Sequence, residues 1–134
     1  MYDFKSDYLP LVARILLSIL FLYSGLGKAI NPEGTISYIT AAGLPAPSLA
    51  YASAVAIELL LGTALLIGYK LTIAGSVLAG YSIAAAIIFH SNFSERIQLI
   101  SFLKNVAICG GLLQLIITPP GGLSADGYRK SHKA

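Results

Sequence analysis

The sequence predicts an all-α membrane protein: a four-transmembrane-helix bundle, with a short interfacial helix between spans 1 and 2 and both termini cytoplasmic. Three observations predict it. Four apolar runs, at about residues 8–30, 49–68, 71–90 and 97–118, each reach the roughly 20 residues that a helix needs to cross a bilayer. The chain is 56% hydrophobic and 11% charged, far from the roughly 45–50% and about 25% of soluble domains, and its mean hydropathy is +0.76. None of the runs shows the strict alternation of a barrel strand, and a backbone in lipid must satisfy its own hydrogen bonds, so helices are expected.

The N-terminal stretch "MYDFKSDYLP" carries one lysine against two aspartates. No small-residue cleavage site follows a short apolar core, and Arg14 interrupts the first run, so the segment reads as an uncleaved span. The link to the second span is "NPEGTISYITAAGLPAP". Asn31-Pro32 opens a turn, Pro32 and Glu33 suit a first helical turn, and Ile36, Ile39 and Ala42 share a face before Gly43 stops the segment. A short helix in the interface is expected, an ordinary surface loop being the alternative.

Spans two and three meet at the tight turn "GYKL" and form an antiparallel hairpin. The fourth span contains "FLKNVAICGG", which places Lys104 and Asn105 inside an oily run. Beyond it, at about residues 119–134, a mobile cytoplasmic tail ending in "SADGYRKSHKA" is expected, attracted weakly to anionic lipid. A single membrane domain, residues 1–134, accounts for the length.

The net charge is +3, but several of the nine Lys/Arg fall within or beside apolar runs and form no stripe, which argues against nucleic acid as a partner. With both termini inside, six basic residues (Lys5, Arg14, Lys70, Arg129, Lys130 and Lys133) lie on the cytoplasmic side and three (Lys28, Arg96 and Lys104) on the other. That asymmetry sets the orientation. Cys109 is the one cysteine, which excludes an internal disulfide, a CxxC redox pair and a thiolate cluster. There is no metal-ligand motif, and no haem pair forms within one chain because His132 belongs to the tail.

An ionisable group near mid-helix costs about 2.5–3.5 kcal/mol on insertion scales, so each needs a reason. Glu58 is the deepest, about ten residues or ~15 Å from either end of its span. Helical side chains lean toward their own N-terminus. Spans one and three run outward, so Lys28 and His90 lean back into the membrane; spans two and four run inward, so Glu58 and Lys104 lean outward. Lys28, Glu58, His90, Lys104 and Asn105 are therefore candidates for a ligand-binding or proton-relay site in the outer half. Small residues at Ala54 and Gly62, and at Gly75, Ala79, Ser82 and Ala86, line the same faces; close helix packing alone also explains them.

Plainer roles stay open for each. Glu58 can form a structural ion pair with Lys104 or with Lys28, Lys28 can snorkel to the headgroups, and His90 can be an interfacial histidine. Arg14, about 21 Å along the helix from Lys28, is expected to anchor the cytoplasmic interface. Two lysines against one glutamate leave a positive surplus that an anionic or carbonyl-bearing ligand would relieve.

The stretches "ARILLSILFLYSGLGKAINPEGTISYITAAGLPAP", "AIELLLGTALLIGYKLTIAGSVLAG", "IIFHSNF" and "ISFLKNVAICGGLL" together resemble the DoxX family of small bacterial membrane proteins, from about residue 11 to residue 120. The resemblance implies a multi-pass, four-helix protein of the bacterial cytoplasmic (inner) membrane. It also implies that Arg14, Lys28, Glu58, His90, Lys104 and Asn105 occupy the family's polar positions. DoxD-like relatives are associated with thiosulfate:quinone oxidoreductase, and other members with sulfur or oxidative-stress chemistry.

Three functions follow as expectations. The first is an accessory or quinone-linked subunit of a membrane oxidoreductase, with quinone as the cofactor and electrons supplied by a protein partner. The second is permeation of a small anion, a weak acid or protons, which for so short a bundle calls for a homo-oligomer. The third is a structural anchor or assembly subunit, in which the buried charges serve helix pairing alone. The lipid bilayer is a partner in all three.

Overall fold

The computed structural model describes residues 1–133, and its regular elements are helices: α1 Phe4–Ile30, α2 Pro32–Ala41, α3 Pro47–Ile67, α4 Leu71–Phe89, α5 Arg96–Ile117 and α6 Ala125–Ser131. α1, α3, α4 and α5 are long and apolar enough to cross a membrane. Their boundaries lie within a few residues of the apolar runs, because helix ends are set by caps rather than by where hydrophobicity fades. Asp3 accepts from the backbone N–H groups of Lys5 and Ser6 and starts α1 four residues before its apolar stretch.

Local chemistry fixes the connections. Asn31 caps α2 through Gly34 N–H at 3.2 Å, with Pro32 in the first turn, where its missing N–H is harmless. α2 is therefore a helix, not a loop. Gly68 closes α3 at φ 73°, and Lys70 at φ 47° takes the chain into α4. The positive φ at Gly68 needs glycine, and a side chain there would also strike Ser124.

The start of α1 and the segment that follows α5 sit at one end of the bundle, the terminal end, where Gly122 N–H donates to Asp7 Oδ1 at 2.6 Å. An apolar core of Phe21, Leu65, Leu71, Leu78, Ala79, Leu112 and Leu115 fills the bundle from that end to its middle. α4 and α5 pack tightly within it, Gly75 leaving room for Ile116. Outward-facing Leu16, Ile73, Ile87 and Ile117 form an apolar belt for lipid. In the opposite, distal half the spans bury only polar or small groups, Gly25, Glu58, Ser82 and Ala86, with Ile39 of α2 the buried apolar residue there.

The expectation of a mobile tail is corrected. After Pro119 and Pro120 the chain folds back beneath the bundle and ends in α6. Asp126 accepts from Lys70 N–H and Leu71 N–H, both at 2.9 Å, and its own N–H donates to Gly68 O at 2.9 Å. It thereby caps α4, whose first N–H groups have no partner within the helix. Arg14, expected at the interface, is instead completely buried, donating from Nη1 to Pro120 O at 2.8 Å and from Nη2 to Leu123 O. A buried guanidinium needs acceptors; the returning tail supplies one to each Nη, while Nε finds none among the described residues. The last tail residue, Ala134, lies outside the described residues.

Candidate functional site

Glu58 lies midway along α3 within a π-helical turn, Ile57–Leu61. Such a turn admits an extra residue, rotates the remainder of the helix, and recurs at functional sites. Glu58 is 3% exposed. Lys28 Nζ lies 3.0 Å from both of its carboxylate oxygens and donates also to Ser24 Oγ at 2.6 Å. Tyr81 OH, from α4, donates to Glu58 Oε1 at 2.6 Å. Three helices thus meet at one carboxylate.

Close approach of α1 and α3 makes this possible. A Cβ on Gly25 would lie 2.9 Å from Glu58 Cβ and from Leu59 Cδ2, so only glycine admits the contact. On the other side of the turn, Gly62 receives Leu22 and Phe21. Tyr51 OH donates to Lys28 O at 3.1 Å and ties the end of α1 to α3.

Beside this cluster α3 and α5 stand apart, leaving a cavity of about 610 Å³. Lys28 and Glu58 lie on one wall, Lys104 and Asn105 on the α5 wall, Tyr81 on α4 and His90 just past its end. α2 forms the distal cover: Ile39 is buried, and Tyr38 stacks on Phe89 with ring centroids 5.1 Å apart. Most of the lining is apolar. The volume falls within the roughly 300–1,000 Å³ of small-molecule sites.

The five candidates line one cavity but do not all touch. Lys28 takes Glu58, resolving the two pairings the sequence left open. His90 Nδ1 contacts Gln98 Oε1 at 3.1 Å, and Asn105 Nδ2 donates to Ser101 O at 3.0 Å within its own helix. The Lys104 side chain makes no ion pair or hydrogen bond with any described residue, although it faces the same space. The Lys28–Glu58 pair is neutral overall, so the cavity keeps one positive charge, three N–H donors on Lys104 and an unused N–H on Asn105. That set is suited to an anionic or carbonyl oxygen.

Two participants escaped the sequence reading, Tyr81 and Ser24. The signal for Tyr81 was its depth. A tyrosine halfway along a span holds its hydroxyl far from water, and a buried hydroxyl finds a partner. Ser24, one turn before Lys28, gave no comparable signal. Among the described residues no cluster of His, Cys, Asp and Glu is arranged to hold a metal ion.

The pattern that defines the DoxX family matches residues 9–91, which include Arg14, Lys28, Glu58, Tyr81 and His90 but not α5 with Lys104 and Asn105. The chain is 40% identical over 121 residues to inner membrane protein YqjF of Escherichia coli K12, spanning 90% of this chain and 92% of that protein. It is 32% identical over 132 residues to inner membrane protein YphA of the same organism, spanning 93% and 94% respectively. No solved structure matches it. A family pattern over residues 9–91 and a relative at 40% identity across nine-tenths of the sequence place the matter beyond the short motifs: the chain belongs to the DoxX family.

Proposed function

We propose that the distal cavity binds a small lipophilic molecule through a carbonyl or anionic oxygen, a quinone headgroup being the first choice. In this reading the protein is an accessory, quinone-linked subunit of a membrane oxidoreductase of the sulfur or oxidative-stress class. The observation that carries it is Lys104, a cation without a side-chain partner among the described residues, facing a largely apolar cavity of about 610 Å³. Lys104 and Asn105 hold the ligand oxygen, and the Tyr81–Glu58–Lys28 chain carries a proton to or from it. His90 stands at the distal rim. A single cysteine offers no dithiol, so the electrons come from a protein partner.

The protein resides in the bacterial inner membrane, as the names of YqjF and YphA support for those relatives. The end carrying both termini faces the cytoplasm, on the excess of basic residues there. A second reading, passage of a small anion or weak acid, draws on the same surplus charge of Lys104.

The test is organic extraction of the protein purified in native lipid discs, followed by chromatography for quinone. One quinone per chain, lost in Lys104→Met and in Glu58→Gln while the bundle stays intact, is the expected result. An intact bundle without quinone would sink the redox reading and turn attention to anion flux. Full activity of both variants in their native membrane would instead favour a structural anchor.

A further inference from the structure

We propose that the groove between the start of α4, the end of α5 and α6 is a specific site for one anionic phospholipid. The groove is about 740 Å³ and lies at the terminal end, away from the distal cavity. Its span side is apolar, with Leu71, Ile116 and Ile117, and its α6 side presents Arg129, Lys130 and Lys133. Ile117, the last residue of α5, is 75% exposed. The membrane-spanning stretch therefore ends within the groove, at the depth where acyl chains give way to headgroups.

Against three cations the groove lining holds one carboxylate, Asp126, so a positive surplus remains. None of the three cations makes an ion pair or a side-chain hydrogen bond with a described residue. Asp126, the acid lining the groove, has both carboxylate oxygens committed to Lys70 N–H and Leu71 N–H. The phosphate diester of an anionic phospholipid has the complementary charge, and the first carbons of the lipid's acyl chains fit the isoleucine wall. A zwitterionic lipid brings a cation of its own into a cluster of cations, whereas a free anion leaves the apolar wall unused. The fold-back held by Arg14 and Asp126 is what fixes these cations at one depth, in place of a free basic tail.

Native mass spectrometry of the full chain in mild detergent, titrated with phosphatidylglycerol or phosphatidylcholine, tests this. A single phosphatidylglycerol adduct should form at concentrations where phosphatidylcholine gives none. Its affinity should fall about fivefold for each cation among Arg129, Lys130 and Lys133 changed to Gln, the factor that corresponds to ~1 kcal/mol per juxtamembrane basic residue. Lys5→Gln, at the same end but outside the groove, should leave it unchanged. Equal binding of the two lipids, or equal loss with Lys5→Gln, would overturn a specific site. Full displacement by inorganic phosphate at the lipid's concentration would overturn it in favour of a free anion. Should the triple variant lose α6, Lys133→Gln alone decides, since Lys133 lies beyond the last helical turn and makes no side-chain contact that the fold needs.

Discussion

Lys28 and Glu58 are thirty residues apart in sequence, yet the ammonium of one sits 3.0 Å from both carboxylate oxygens of the other. This is the single ion pair among the described residues, and it is lopsided. The Lys28 side chain is 28% exposed and its flexible stem can reach outward, whereas the Glu58 side chain, at 4%, is held from behind by α1 and α4. An acid that cannot leave has been paired with a base that can. That difference makes the pair a place where protonation and ligand binding can be coupled, and it gives the two partners unequal weights in stability.

Removing the base should therefore do more damage than removing the acid. Lys28→Met strands the Glu58 carboxylate in the bundle, and breaking a buried pair costs about 3–5 kcal/mol. Glu58→Gln leaves a lysine that can turn to the interface, so its loss should stay near the ~1–3 kcal/mol of an unmade buried hydrogen bond. Reversible unfolding in mixed micelles measures both. Equal losses, or the reverse order, would show that Glu58 is not the trapped partner.

Tyr81→Phe deletes one hydroxyl and nothing else. Its hydrogen bond to Glu58 Oε1 is 2.6 Å long and ends on a carboxylate, so the loss should be about 1.5–3 kcal/mol. Tyr69→Phe, whose hydroxyl makes no hydrogen bond with any described residue, is the control and should be neutral. If the two substitutions unfold alike, the Tyr81 hydroxyl contributes nothing to holding Glu58.

The α1–α3 contact makes a third expectation. Gly25→Ala forces α1 away from Glu58 and Leu59, with an overpacking cost of about 1–3 kcal/mol. Gly27→Ala, two residues on, meets nothing within 4 Å and should be harmless. In the quinone-extraction assay Gly25→Ala should also lower occupancy, since widening the α1–α3 contact displaces Lys28. Identical stability of the two alanine variants would mean that the helices are not in contact at Gly25.

Depth was legible in the sequence, and azimuth was not. Twenty-residue apolar runs announced the four spans, and the lean of helical side chains brought Lys28, Glu58, His90 and Lys104 to similar depth. Depth alone does not choose between Lys28 and Lys104 as the partner of Glu58. The choice depends on how far apart α3 and α5 stand and on how the π turn rotates α3, and a single sequence pattern encodes neither. Tyr81 was hidden for a related reason, its ring blending into an apolar run. The tail was misread because its anchors are remote. Asp126 reaches back to Lys70 and Leu71, and Arg14 reaches forward to Pro120 and Leu123, across most of the chain. Isolated from those partners, "SADGYRKSHKA" has the composition of a solvated end.

The same two residues allow the fold-back to be tested by proteolysis. Trypsin cleaves after Arg129 and Lys130, which are exposed but lie within α6, so cutting requires the segment to open. Asp126→Asn leaves one acceptor oxygen for two backbone N–H groups, a loss comparable to an N-cap substitution at about 0.5–2 kcal/mol, or about a two- to thirtyfold rise in the open population. Arg14→Lys keeps the charge, but a point-like ammonium cannot span Pro120 O and Leu123 O as the planar fork does. Both variants should speed cleavage of the folded protein in detergent, with the four spans remaining protected. Anionic lipid in the groove should slow cleavage of the native chain and do less for either variant, because the cations it needs are no longer held in place. Unchanged cleavage rates in both variants would mean that Arg14 and Asp126 do not restrain the tail, and that the buried guanidinium is satisfied in some other way.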